Sequence, residues 1–210
     1  MSAIKNIIFD LGGVLITLDL MATESAFQKL IGTTDFLEAK KQLNQEGIFE
    51  KIETSEISET EFVRKIQEKS KPEASEHSIR QAWNAMLKTI PVEGIQLINL
   101  LRKQGYKLYV LSNTNSIHLK QFRQIILEEH GIQDFDALFD KCYYSHLVKM
   151  RKPNTSIYEN VLNDADLKPE ETLFIDDNEP NLVGARPTGL NTLLHPPSRC
   201  IYKHLTEFLH

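Results

Sequence analysis

Apolar residues come in short unbroken runs that end in polar groups. Residues 4–9, Ile-Lys-Asn-Ile-Ile-Phe, form a β-branched run that stops at Asp10, followed by Gly12-Gly13. The shape returns over 108–111, Leu-Tyr-Val-Leu, ended by Ser112-Asn113, and over 172–175, Thr-Leu-Phe-Ile, ended by Asp176-Asp177. Runs without polar alternation predict strands buried on both faces, as in a parallel sheet covered by helices. Residues 191–194 predict a further strand and 141–144 a weaker one.

Between these runs the apolar spacing turns helical. Residues 92–104 carry Ile95, Ile98 and Leu101 and stop at Gly105, and 115–129 and 155–163 also read as helices. After Pro196-Pro197, residues 200–209 predict a terminal helix against the sheet. Strand and helix in alternation define an α/β chain with right-handed crossovers.

One crossover is far too long. A parallel connection needs only about a dozen residues, yet the interval from Phe9 to Leu108 holds four further helical segments, at 21–31, 36–44, 58–68 and 75–87. Ser58 and Glu61 have the spacing of a capping box. Ile79, Ala82, Trp83, Met86 and Leu87 make one apolar face. The economical reading is a helical insertion of roughly 70 residues standing over the first loop.

Composition narrows the function classes. The 210 residues suffice for a core with a smaller attached unit, and 41% hydrophobic with 25% charged residues is ordinary for a folded protein. A net charge of −5 argues against nucleic acid or a membrane surface as a partner held by bulk electrostatics, while leaving room for a local anion site. No segment approaches the roughly 20 apolar residues that span a bilayer, and the first apolar run is too short for a signal peptide. Cys142 and Cys200 are far apart and make no metal-ligand spacing. They are expected to be ordinary thiols, and the chain is expected to be cytoplasmic.

Ligands of open parallel sheets bind beyond the carboxyl ends of the strands. Three of the runs end there in Asp10, in Ser112-Asn113 and in Asp176-Asp177, and Lys152 precedes Pro153 at the start of a predicted helix. Singly, each is as readily a turn former or a helix cap. Together they are carboxylates, a hydroxyl and a cation at one sheet edge. Converging carboxylates repel unless a cation joins them, and oxygen ligands in small number suit Mg²⁺.

At this point a resemblance is plain. The run Ile7-Ile8-Phe9-Asp10-Leu11-Gly12-Gly13-Val14-Leu15 resembles the first motif of haloacid dehalogenase-like hydrolases. Leu111-Ser112-Asn113-Thr114 is similar to the second, Arg151-Lys152-Pro153 to the third, and Phe174-Ile175-Asp176-Asp177 with Asn181 to the fourth. Order and spacing match along essentially the whole chain. The resemblance implies a Rossmann-like α/β core at 1–17 and 91–210 and a small helical cap at 18–90, inserted after the first strand. It further implies a Mg²⁺-dependent phosphatase acting on a small phosphorylated metabolite, such as a sugar phosphate. Asp10 would take the phosphoryl group as an aspartyl-phosphate. Asp10, the Gly12 carbonyl and Asp177 would hold the metal, with Asp176 as a ligand or just behind one. Ser112 and the Asn113 backbone would bind phosphoryl oxygens, Lys152 would neutralise phosphate and nucleophile, and Asn181 would order the fourth loop.

The chain departs from the pattern at Gly12. Phosphatases of this type usually carry there a second Asp that protonates the leaving group, a contribution of about 10²–10⁴-fold. Either the leaving group needs little help, as with an anomeric sugar 1-phosphate, or the cap supplies the proton. Asp19 and His118 are the side chains near enough to consider; Asp19 reads as a flap or helix-cap residue and His118 as a surface residue. Chains with Asp-Leu-Gly in this motif form a group of phosphatases that this one resembles most. A 2-haloacid dehalogenase would carry an aromatic residue at Gly12 and lack the acidic pair, and a phosphomutase would need the missing Asp. The rival from another class is an idle protein that keeps the pocket for binding. In the cap, Glu46, Phe49, Glu50 and Trp83 are candidates to face the site, and Trp83 reads as core.

Overall fold

The computed structural model describes residues 3–33, 35–44 and 46–209, with the side chains of Phe36 and Ala39 left out of the description. Five strands form one sheet: β1 (Asn6–Phe9), β2 (Lys107–Ser112), β3 (Lys141–Tyr144), β4 (Thr172–Asp176) and β5 (Asn191–Leu194). All pairings are parallel and the spatial order is β3-β2-β1-β4-β5. β1 is central, as its four fully buried positions require. The weaker strand prediction at 141–144 is an edge strand that begins exposed at Lys141, so its apolar signal is diluted.

The pleat sends alternate residues to opposite faces. Ile7, Phe9, Val110 and Ile175 pack on one face with α6 (Val92–Lys103), α7 (Ser116–His130) and α11 (Ile201–Leu209). Ile8, Tyr109, Leu111 and Phe174 pack on the other with α9 (Thr155–Asp164) and α10 (Glu179–Ala185). The core is therefore an α/β sandwich with helices on both faces. Asn115 begins the segment predicted at 115–129 but serves as the cap of α7, its side chain accepting the His118 amide.

The insertion after β1 is helical: α1 (Leu20–Ile31), α2 (Phe36–Leu43), α3 (Ile48–Glu53), α4 (Glu59–Gln67) and α5 (Glu76–Asn84). The six-residue α3 escaped prediction because it spans less than two turns, too short for an apolar period to show. At α4 only half of the predicted capping box forms, Ser58 accepting from the Glu61 amide, whereas Ser75 and Ser78 complete one at α5. Phe27, Ile52, Phe62, Ile79 and Trp83 form a separate apolar cluster that Ile117 of α7 joins from the core side. The chain enters and leaves the insertion side by side: Leu18 bridges Leu87 antiparallel, Thr17 donates to Thr89, and Asp19 donates to Met86.

Candidate active site

The strand register sets the site. Phe9 pairs with both Val110 and Ile175, so Asp10, Leu111 and Asp176 emerge level at the carboxyl ends, and the Asp10 amide donates to the Ile175 carbonyl at 2.8 Å. Carboxylate oxygens of Asp10, Asp176 and Asp177 lie within 4.8 Å of one another. Lys152, only 1% exposed, stands between two of them, its Nζ 2.9 Å from Asp10 Oδ1 and 2.7 Å from Asp176 Oδ2.

The three carboxylates are not equivalent. Asp176 is fully buried, and both of its oxygens are engaged, by Asn181 Nδ2, the Asn178 amide and Lys152. Asn181 is itself fixed by its carbonyl, which accepts from the Tyr158 hydroxyl at 2.7 Å. Asp177 stays half-buried and leans over Gly13, whose φ of +72° is left-handed. A Cβ built at Gly13 would fall 2.2 Å from Asp177 Oδ2, so only glycine admits both the turn and the approach. Asp10 receives the Leu11 amide at 2.6 Å and Lys152 Nζ, both on Oδ1.

Burial pushes the Asp10 carboxyl up to about 7, and the charge of Asp176 adds to this against the pull of Lys152. Burial also raises Asp177, with Asp176 again adding. For Lys152 burial works downward, yet the fields of Asp10 and Asp176 outweigh it and hold the ammonium up. Three carboxylates facing one ammonium leave the cluster short of positive charge. A hard divalent cation among all-oxygen donors supplies what is missing, so the residues fit Mg²⁺.

Next to Asp10, and bounded by its neighbours Leu11 and Gly12, lies a cavity of about 220 Å³, lined on the core side also by Ser112, Asn113 and Thr114. Ser112 is buried in that wall. The Asn113 side chain faces away from a ligand role: its amide exchanges two 2.9 Å bonds with the Lys152 backbone, tying the loop of Lys152 to the end of β2. α10 clamps the same loop from behind, where a Cβ at Gly184 would meet the Pro153 carbonyl oxygen at 2.0 Å. Gly12 faces Leu18, whose Cδ1 would be 2.8 Å from a Cβ there, so a side chain at this position requires Leu18 to swing aside.

The cap closes the outer wall with Glu53, Trp83 and Met86, joined by Leu18, Leu87 and His118. His118 is not the surface residue its sequence context predicts. It stacks on Trp83 at 4.7 Å, its Nε2 lies 2.9 Å from the Trp83 carbonyl, and Nδ1 lies 3.2 Å from Asn115 Nδ2. Burial pushes its pKa down to about 4, so the ring is neutral, with Nε2–H donating to the carbonyl. Asp19 caps α1, accepting the Ala22 amide at 3.1 Å. Trp83 is 6% exposed in an aromatic cluster with Phe27, Phe49 and Phe62, as its helical spacing implied. Of the other cap candidates, Glu46 pairs with Lys65 on the surface, Glu50 accepts from Asn44, and Phe49 lines a separate apolar pocket of about 190 Å³. Sequence reasoning missed Glu53, which closes the unpredicted α3.

Residues 4–189 match the model of the haloacid dehalogenase-like hydrolases, and the chain belongs to that family. Its place within the family is among phosphatases. The chain is 31% identical over 189 residues to the D-ribitol-5-phosphate phosphatase of Bacteroides thetaiotaomicron, covering 90% of each protein. A family enzyme of the same organism, solved with magnesium and inorganic phosphate, superposes with a TM-score of 0.84 at 35% identity, covering 97% of this chain and 99% of that one. A predicted family hydrolase of Porphyromonas gingivalis superposes at 0.87 with 32% identity, over 100% and 99% of the two chains. The protein is thus a phosphoric monoester hydrolase of this superfamily. No helix among the described residues is long and apolar enough to cross a membrane.

Proposed function

We propose that the protein is a Mg²⁺-dependent phosphatase that cleaves a small phosphorylated polyol or sugar through an aspartyl-phosphate on Asp10. The observation that supports this most is the cluster of Asp10, Asp176 and Asp177 with Lys152 wedged among them. Residues 1–17 and 91–210 are read as the catalytic core and 18–90 as its lid. The half-buried thiols Cys142 and Cys200 fit a cytoplasmic enzyme.

With Lys152 and the Leu11 amide both on Oδ1, Asp10 presents Oδ2 as the attacking oxygen. Asp10, the Gly12 carbonyl and Asp177 would hold Mg²⁺, which shields the two anions from each other and stabilises charge on the phosphoryl oxygens. Asp176, saturated by Asn181, Asn178 and Lys152, orients the cluster from behind. Ser112 and the Asn113 backbone N–H donate to the phosphoryl group while Lys152 neutralises it. Oδ2 bonds to phosphorus as the bond to the leaving alkoxide breaks. Water then attacks phosphorus, the bond to Asp10 breaks, and phosphate departs.

Gly12 supplies no proton for the alkoxide. His118 cannot take that part, since its one N–H is committed to the Trp83 carbonyl. The similarity to a ribitol-5-phosphate phosphatase favours a leaving hydroxyl of a polyol, with the proton coming from the cap side of the cavity or from water. An idle binding protein is the second reading, favoured by Gly12 alone. Phosphate release from sugar phosphates, polyol phosphates, nucleotides and 4-nitrophenyl phosphate, with Mg²⁺ or EDTA, separates the two. Metal-dependent turnover lost in Asp10→Asn supports the phosphatase; phosphate binding without turnover on any substrate supports the idle pocket.

A further inference from the structure

Among the described residues, Glu53 is the one charged side chain of the cap on the cavity wall. It ends α3, a helix whose apolar residues Ile48 and Ile52 are sunk in the cap core. Its carboxylate is held across the cap–core boundary by Arg151, the neighbour of Lys152: Nε donates to Oε2 at 3.0 Å, and Nη2 stands 2.9 Å from the same oxygen. A second link stands two residues on, where the Ser55 hydroxyl donates to the His146 carbonyl at 2.7 Å and Ser55 holds a φ of 57°. Cap and core are therefore pinned together beside the phosphate end of the site.

Both Arg151 contacts fall on Oε2, so Oε1 has no partner among the described residues, and Glu53 lines the cavity. The outer wall offers a ligand there little else. Trp83, Met86, Leu18 and Leu87 are apolar there, and both ring nitrogens of His118 are engaged. Burial pushes the Glu53 carboxyl up, and Arg151 opposes this only in part. A desolvated carboxylate short of donors favours a ligand that brings a hydroxyl and rejects an isostere without one, because the group would then be left unpaired.

Resting on the phosphatase reading above, we infer that Glu53, oriented by Arg151, accepts a hydrogen bond from a hydroxyl of the leaving group and so selects polyhydroxylated alkyl phosphates over plain ones. Glu53 is a specificity-determining residue and Arg151 its positioning residue.

The test compares a pentitol phosphate with n-pentyl phosphate by kcat/KM with Mg²⁺, reading the change in their ratio between variants, from which the difference in leaving-group basicity cancels. The wild type prefers the pentitol phosphate by about tenfold or more, as a hydrogen bond to a charged group implies. In Glu53→Gln that ratio falls about tenfold, whatever the overall activity, since each ratio is internal to one variant. Arg151→Lys keeps the charge but loses the two-pronged hold and lowers the ratio part of the way, which keeps the inference testable should Glu53→Gln fold poorly. No preference in the wild type, or an unchanged ratio in both variants, overturns it. Equal loss on both alkyl phosphates also overturns it and makes Glu53 the proton donor. Absence of wild-type turnover on 4-nitrophenyl phosphate as well would instead sink the phosphatase reading.

Discussion

The two walls of the cavity are built on opposite principles. On the core side the supporting polar groups are committed: Asp176 to three partners, the Asn113 side-chain amide to the Lys152 backbone, Lys152 to two carboxylates. On the cap side an aromatic cluster fills the interior, and polar links that include Glu53–Arg151, Ser55–His146 and the Trp83 carbonyl with His118 hold the wall to the core. On the proposed mechanism the core wall would fix reacting groups that must not move, whereas the cap wall would need only to fit a leaving group and close over it. Loss of a core group should therefore damage chemistry and stability together, and loss of a cap group should act on selectivity.

The strongest way to break this contrast is Lys152→Met. Removing a buried cation leaves Asp10 and Asp176 facing each other, a defect worth about 3–5 kcal/mol. Urea unfolding in EDTA should show that loss, Mg²⁺ should restore part of it, and phosphate release should fall by about a thousandfold. Next in size is Gly184→Ala. Its Cβ would drive into the Pro153 carbonyl, costing about 1–3 kcal/mol and lowering kcat through displacement of Lys152, although residue 184 touches no ligand.

Acidity sharpens the comparison further. The Asp10 carboxyl, at about 7 when folded and about 3.9 when unfolded, takes up protons on folding across that window, so metal-free stability gains from it as pH falls. His118, and the buried His195 that follows β5 and stacks on His204 of α11, are both pushed down to about 4 by burial and act the other way: below about 6.5 the unfolded chain binds the protons. Asp10→Asn removes the gain and leaves the losses. Between pH 6.5 and 4.5 in EDTA, its urea midpoint should fall more steeply than that of the wild type; parallel slopes would show that Asp10 is not held as described. The smallest effect is expected for Asp19→Ala, which removes the cap of α1 at about 1 kcal/mol while phosphate release stays within twofold. A large fall in kcat would return Asp19 to the list of proton donors.

The same contrast explains what could be read from the sequence. The core was legible because a buried parallel strand is an unbroken apolar run and its carboxyl end is where ligands gather; Asp10, Ser112 and Asp176 are marked by position alone. Its helical insertion showed as an overlong crossover. The outer wall was not legible, because its placement depends on tertiary packing. Glu53 closes a helix too short to announce itself, and nothing local ties it to Arg151, which is 98 residues away. His118 looked like a surface residue because only the fold lays it against Trp83. Asn113 carries a motif position, yet the pairing of its amide with the Lys152 backbone could be seen only once the two loops were brought together.

The central claim is that the phosphoryl group passes through Asp10. Its most direct test is acid-quenched turnover of a polyol phosphate with Mg²⁺, followed by mass spectrometry of the peptide holding Asp10. A transient phosphoryl adduct on Asp10, formed and lost at rates that account for turnover, is the predicted result. Sustained turnover with no adduct, and with Asp10→Asn still active, would contradict it.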